Sequence, residues 1–90
     1  MALQDRTFAN LTNSWEASER HTAAANEDAI LSNTSAYVMF MVLTADDTEP
    51  SGKPREGHPV APMSSATFQL KAGERLWVAG ADARGRLTVD

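Results

Sequence analysis

The chain contains no cysteine. Neither a disulfide nor a thiolate metal centre can staple it, so its stability has to come from packing. It is also short of apolar runs. The longest, Ala36 to Leu43, falls far below the ~20 residues that would cross a bilayer. The opening residues, Met1-Ala2-Leu3-Gln4-Asp5-Arg6, have no apolar stretch of the signal-peptide kind, and a protein outside the secretory route is expected. Basic residues are outnumbered, eight against twelve acidic ones, for a net charge of −4 and a pI near 5.0. That balance argues against a phosphate-binding footprint and hence against nucleic acid. Ninety residues make one small domain, burying roughly 60–65% of its unfolded surface. Its 42% hydrophobic content includes many alanines, which contribute little area each.

Constellations that carry chemistry are equally scarce. His21 and His58 stand in separate segments without zinc-ligand spacing. Asp46, Asp47 and Glu49 lack the twelve-position pattern and central glycine of a calcium loop, and read as a solvated acidic stretch. No serine lies in a Gly-x-Ser-x-Gly elbow, and Gly80 to Gly85 lacks the Gly-Lys-Ser/Thr ending of a phosphate loop. Asn10-Leu11-Thr12 and Asn33-Thr34-Ser35 match the glycosylation pattern, which is empty without a secretory route. The expectation is a protein that is not an enzyme, with no catalytic residue, metal or cofactor.

What the sequence does hold is strand pattern. In the last third, Phe68 and Leu70 alternate with polar residues, as do Leu87 and Val89, while Leu76-Trp77-Val78 is a continuous apolar run. Two-residue alternation marks half-buried strands, and the continuous run marks one covered on both faces. Gly73 and Gly85 sit in the intervening turns, so these strands read as a β-meander with Trp77 in its core. Asp28 to Ser32, Asn33-Thr34-Ser35 and Ala36 to Thr44 read as a hairpin. Its second strand is apolar on both faces, Tyr37, Met39, Met41 and Leu43 on one and Val38, Phe40 and Val42 on the other. Either the fold covers both faces or one is an interface, and Val38, Phe40 and Val42 are the expected self-association face.

Two segments frame these strands. Residues 45–65 hold all four prolines and form a long loop, with at most a short edge strand at Pro59 to Pro62. Residues 1–26 are rich in Asn, Ser and Thr, which compete with a helical backbone. An extended arm is expected there, with a short strand near Trp15 to Arg20 and a helix as the alternative. Its large apolar residues Phe8, Leu11 and Trp15 are too widely spaced to bury one another, and are expected to bind a partner. The domain division is thus an arm at 1–26 and a β-domain at 27–90.

Residues 28–90 resemble small virion structural proteins of tailed bacteriophages. The likeness rests on the run Asn33 to Phe40, on Phe68 to Gly80 with its Leu-x-x-Gly-Glu, and on the terminal Gly85-Arg86-Leu87-Thr88-Val89. It implies an all-β fold, a small jelly-roll-like β-sandwich of about six to seven short strands with an N-terminal arm. It further implies a capsid decoration or cement protein, a head-fibre base or a tail accessory. Such a protein is often a homotrimer, and its partners are itself and the major capsid or other virion proteins. The chain would be made in the host cytoplasm and located in the virion, without nucleic acid or membrane partners. A carbohydrate- or receptor-binding tail module, with the 45–65 loop presenting the site, is the alternative, and a cupin-like enzyme a third.

Overall fold

The computed structural model describes residues 4–90; the first three residues of the expected arm lie outside the described residues. Eight strands run in chain order: β1 (Gln4–Phe8), β2 (Arg20–Thr22), β3 (Glu27–Asn33), β4 (Met39–Thr44), β5 (His58–Val60), β6 (Ser65–Leu70), β7 (Arg75–Ala79) and β8 (Gly85–Val89). They form two antiparallel four-stranded sheets, the first ordered β1-β8-β3-β6 and the second β2-β7-β4-β5. The only helical turns among the described residues are short 3-10 turns at Ala17–Glu19 and Pro54–Glu56. No helix among the described residues is long and apolar enough to cross a membrane.

The strands of the first sheet alternate as their sequences require. Ala29, Leu31, Leu87, Val89, Leu70 and Phe8 point inward, where they meet Met39, Met41, Leu76, Val78 and Val60 of the second sheet in one buried cluster. Their neighbours Asp28, Ile30, Arg86, Thr67 and Gln69 face solvent. The two central strands of the second sheet, β7 and β4, are apolar on both faces because they are covered on both. Inward they join the main cluster; outward, Trp77 and Ala79 pack with Trp15, and Phe40 and Val42 lie half-buried against them. Trp15 and the loop at 45–57 form this outer cover, pinned where the Trp15 Nε1–H donates to the Gly52 carbonyl at 3.0 Å. Gly57 makes room for it: a Cβ there would stand 2.8 Å from the Met41 carbonyl oxygen and 3.2 Å from the Trp15 ring.

Five sequence expectations are corrected. Neither the hairpin nor the meander is one. β3 and β4 lie in different sheets, and β6, β7 and β8 alternate between sheets, so only β4 and β5 pair as chain neighbours. Alternation reports which side of a strand is buried, not which strand it pairs with, so a chain that crosses sheets at each turn reads like a meander. The division at residue 26 also falls, since β1 pairs with β8 and β2 with β7. The strand expected at Trp15 to Arg20 begins only at Arg20, after the 3-10 turn. Finally, eight strands are present among the described residues where about six to seven were expected, the additional ones drawn from the supposed arm.

Candidate functional site

Phe8, Leu11 and Trp15, expected to meet a partner, are buried within the chain itself. Phe8 and Leu11 belong to the main core and Trp15 to the outer cover, so none offers surface to another molecule. Their cover lies far along the chain, on β8, in the main cluster and at Gly52, which local spacing cannot reveal. Of the expected self-association face, Phe40 and Val42 are occupied by the Trp15–Trp77 layer. Val38 alone is exposed, just ahead of β4.

Two residues of the acidic stretch, Asp46 and Asp47, make internal bonds. Asp47 accepts from Arg75 Nε at 2.8 Å and pairs with Arg20 at 3.4 Å. Arg20 in turn lies over the Trp77 ring, 5.1 Å from its centroid. The Thr48 backbone N–H, then the Thr48 hydroxyl, and more weakly Arg75, hold the Asp46 carboxyl below its ordinary value. His21 bonds Glu27 at 3.0 Å, linking β2 to β3 across the two sheets. His58 is exposed on β5. Among the described residues no three His, Asp or Glu side chains converge as metal ligands.

The exposed large apolar side chains are instead Tyr37 (54%), Val38 (40%), Met63 (75%) and Ile30 (43%). The first three sit on two loops, 34–38 and 61–64, that a single side chain ties together. Asn33, at the end of β3, is buried, and its amide uses all its hydrogen-bonding capacity. Nδ2 donates to the Tyr37 carbonyl at 2.7 Å and to the Val60 carbonyl at 3.0 Å. Oδ1 accepts from the Ser35 N–H at 3.0 Å and the Ser35 hydroxyl at 2.7 Å. The Asn33 backbone N–H reaches the Ser64 carbonyl, and Ser64 N–H closes its own turn onto Ala61. Met63 takes a left-handed backbone, φ 57°, at the tip of that turn. Rigid buried bonds thus hold apolar groups out into water. Beside them Tyr37 lines a shallow groove of about 500 Å³ with Asn10, Asp82 and Arg84.

No family model, curated protein or solved structure matches the chain. The surface therefore has to be read from its own chemistry. Apolar side chains that a fold holds exposed on a well-bonded loop are therefore the candidate surface. The sequence carried a signal for this: Asn33-Thr34-Ser35 is turn chemistry of the kind that bonds its own backbone. Its reach to Val60 was not visible.

Asn33→Ala tests the framework. It removes a donor from the buried Val60 carbonyl and from the part-buried Tyr37 carbonyl, which keeps only the Ser35 hydroxyl, and the acceptor of the buried Ser35 N–H; an unsatisfied buried group costs about 1–3 kcal/mol. At about 4–8 °C per kcal/mol for a domain of this size, the melting temperature should fall by several degrees or more. A variant melting with the parent would show that Asn33 does not hold the two loops.

Proposed function

We propose that the chain is a non-enzymatic structural component of a phage virion, a capsid decoration, cement or head-fibre-associated protein. In this reading it self-associates and docks on the particle through the end surface of Tyr37, Val38 and Met63. We further propose that its two sheets form a jelly-roll sandwich. The strand order supports this: β1-β8-β3-β6 against β2-β7-β4-β5 is what two interleaved Greek keys generate when the chain changes sheet at every connection but that from β4 to β5. Viral capsid domains and lectins are among the proteins built on that architecture.

The observation that carries the docking reading is the apolar end held in place by buried Asn33. Fully burying a large apolar side chain contributes about 1.5–3 kcal/mol, and these three still have 40–75% of their surface to bury, so each adds part of that to docking at a repeated capsid position. Because the loops are already ordered, little conformational entropy is lost on docking.

Co-sedimentation with undecorated capsids tests it. The parent should pellet with capsids, and Tyr37→Ser combined with Met63→Ser should stay in solution with an unchanged circular dichroism spectrum. A parent that stays in solution with capsids and with tails contradicts the virion reading. Binding that survives both substitutions moves the docking surface elsewhere.

One observation favours a second reading, the carbohydrate- or receptor-binding module. Tyr37 is an exposed aromatic in a groove with the polar side chains of Asn10, Asp82 and Arg84, a combination suited to a sugar face and its hydroxyls. This is not the 45–65 loop, whose first part is folded over the second sheet. Retention on a glycan array, lost in Tyr37→Ser, would favour this reading over the first.

A further inference from the structure

A two-sheet protein leaves four sheet edges, here β1 and β6 in the first sheet and β2 and β5 in the second. Each open edge presents unpaired N–H and C=O groups, and proteins that stay apart block them with charges turned inward, prolines, bulges or very short strands. Three of the four edges carry such a device. On β1, Arg6 turns across to the carbonyls of Ser18 and Arg20, with its guanidinium 4.9 Å from the Phe8 ring centroid. β2 has three residues, two of them Arg20 and His21. β5 has three residues with Pro59 in the middle.

β6 has none. Ser65-Ala66-Thr67-Phe68-Gln69-Leu70 contains no charge, proline or glycine, and its register with β3 is unbroken over all six residues. The direction of its free groups follows from the ladder. Asn33 N–H bonds the Ser64 carbonyl, and Asp28 and Asp90 exchange reciprocal bonds. Even-numbered residues of β3 therefore bond β8 and odd-numbered ones bond β6. Antiparallel pairs alternate, so Ser65, Thr67 and Gln69 aim their N–H and C=O groups away from β3. Among the described residues, no hydrogen bond from outside the sheet ladder reaches these groups.

We propose that this edge is an interface between two copies of the chain, formed by antiparallel pairing of β6 with β6 of the second copy. The strand is self-complementary about a two-fold axis at Thr67. Thr67 would face the second copy's Thr67, and Ser65 its Gln69, so all six free main-chain groups pair. On the solvent face this sets threonine against threonine and serine against glutamine, with no like charges opposed. On the core face, Phe68 and Ala66 are only partly buried, unlike Leu70. The same register lays each Phe68 against the second copy's Ala66 and covers both. An isologous contact of this kind closes at two copies. The proposal deepens the self-association part of the virion reading and rests on it only there. Its test reads mass and amide exchange rather than particle binding, so the two fail separately.

Light scattering on the purified full chain across the micromolar range should give twice the 9.7 kDa mass. Thr67→Lys puts like charges on the axis, and Thr67→Pro removes the central N–H. Thr67 is exposed and its N–H faces away from β3, so both variants should keep the parent's circular dichroism and run as monomers. Hydrogen exchange on the unaltered protein gives a reading independent of any variant. The amides of Ser65, Thr67 and Gln69 should be protected in the dimer and exchange faster on dilution, while those of Ala66, Phe68 and Leu70 stay protected throughout. A monomer at every concentration, a trimer, or a dimer in which the Ser65, Thr67 and Gln69 amides exchange freely overturns the proposal.

Discussion

A chain beginning at Asn26 is expected to be unfolded. The truncation removes β1 and β2, one outer strand from each sheet, and exposes the ladders of β8 and β7 that they cover. It also removes Phe8, Leu11 and Trp15 from buried positions. At about 1.5–3 kcal/mol per large side chain, the loss is roughly 5–9 kcal/mol. A small domain has only about 5–15 kcal/mol in total. Far-UV circular dichroism should show a disordered spectrum without a cooperative melt. A truncated chain that keeps the parent's spectrum and transition would restore the reading of residues 4–26 as a dispensable arm.

Trp77→Ala is the point substitution with the largest expected effect. Its indole fills the layer between the second sheet and the Trp15 cover, with Nε1–H donating to the Thr44 hydroxyl at 2.8 Å. Arg20 lies over the ring and is itself held by Asp47. Removing a buried tryptophan typically costs about 3–5 kcal/mol, a fall in melting temperature of more than about 10 °C here. Trp15→Ala should also destabilise, since it unpins the loop from the sheet. Thermal melts of the two variants check both. If Trp77→Ala melts within a degree or two of the parent, the outer layer is not where the structure places it.

The strands themselves were legible because alternation is a local signal. Phe68 and Leu70, Leu87 and Val89, and the unbroken Leu76-Trp77-Val78 each report how their own strand is covered, and β6, β8 and β7 lie where those patterns fall. The short edge strand among the prolines was legible for the same kind of reason, as Pro59 can sit only where no ladder bond is needed. Pairing was not legible, because it depends on partners distant in sequence. Asp28 to Ser32 and Ala36 to Thr44 look joined by a tight turn, yet residues 34–38 carry the chain from one sheet to the other.

The N-terminal segment failed for a related reason. Phe8, Leu11 and Trp15 have no apolar neighbours along the chain, and only the sheet order brings β8 to the first and the Gly52 loop to the last. The apolar surplus read on both faces of β4 had the same resolution. Trp15, supposed to leave the domain, is what covers Phe40 and Val42. The misplaced Trp15 thus entered two site assignments, the partner-binding set with Phe8 and Leu11 and the self-association face at Phe40 and Val42. Tyr37 and Val38 belonged in sequence to that apolar strand, and only its start at Met39 sets them outside it on an exposed loop.

Native-state hydrogen exchange on the full chain tests the central claim most directly, that residues 4–26 are built into both sheets. The amides of β1 and β2 that bond β8 and β7 should exchange only through global unfolding, with the same free energy as those of β3, β4 and β7. Rapid exchange throughout residues 4–26, beside a protected core at 27–90, would contradict the account and return Phe8, Leu11 and Trp15 to the role of anchors for a partner.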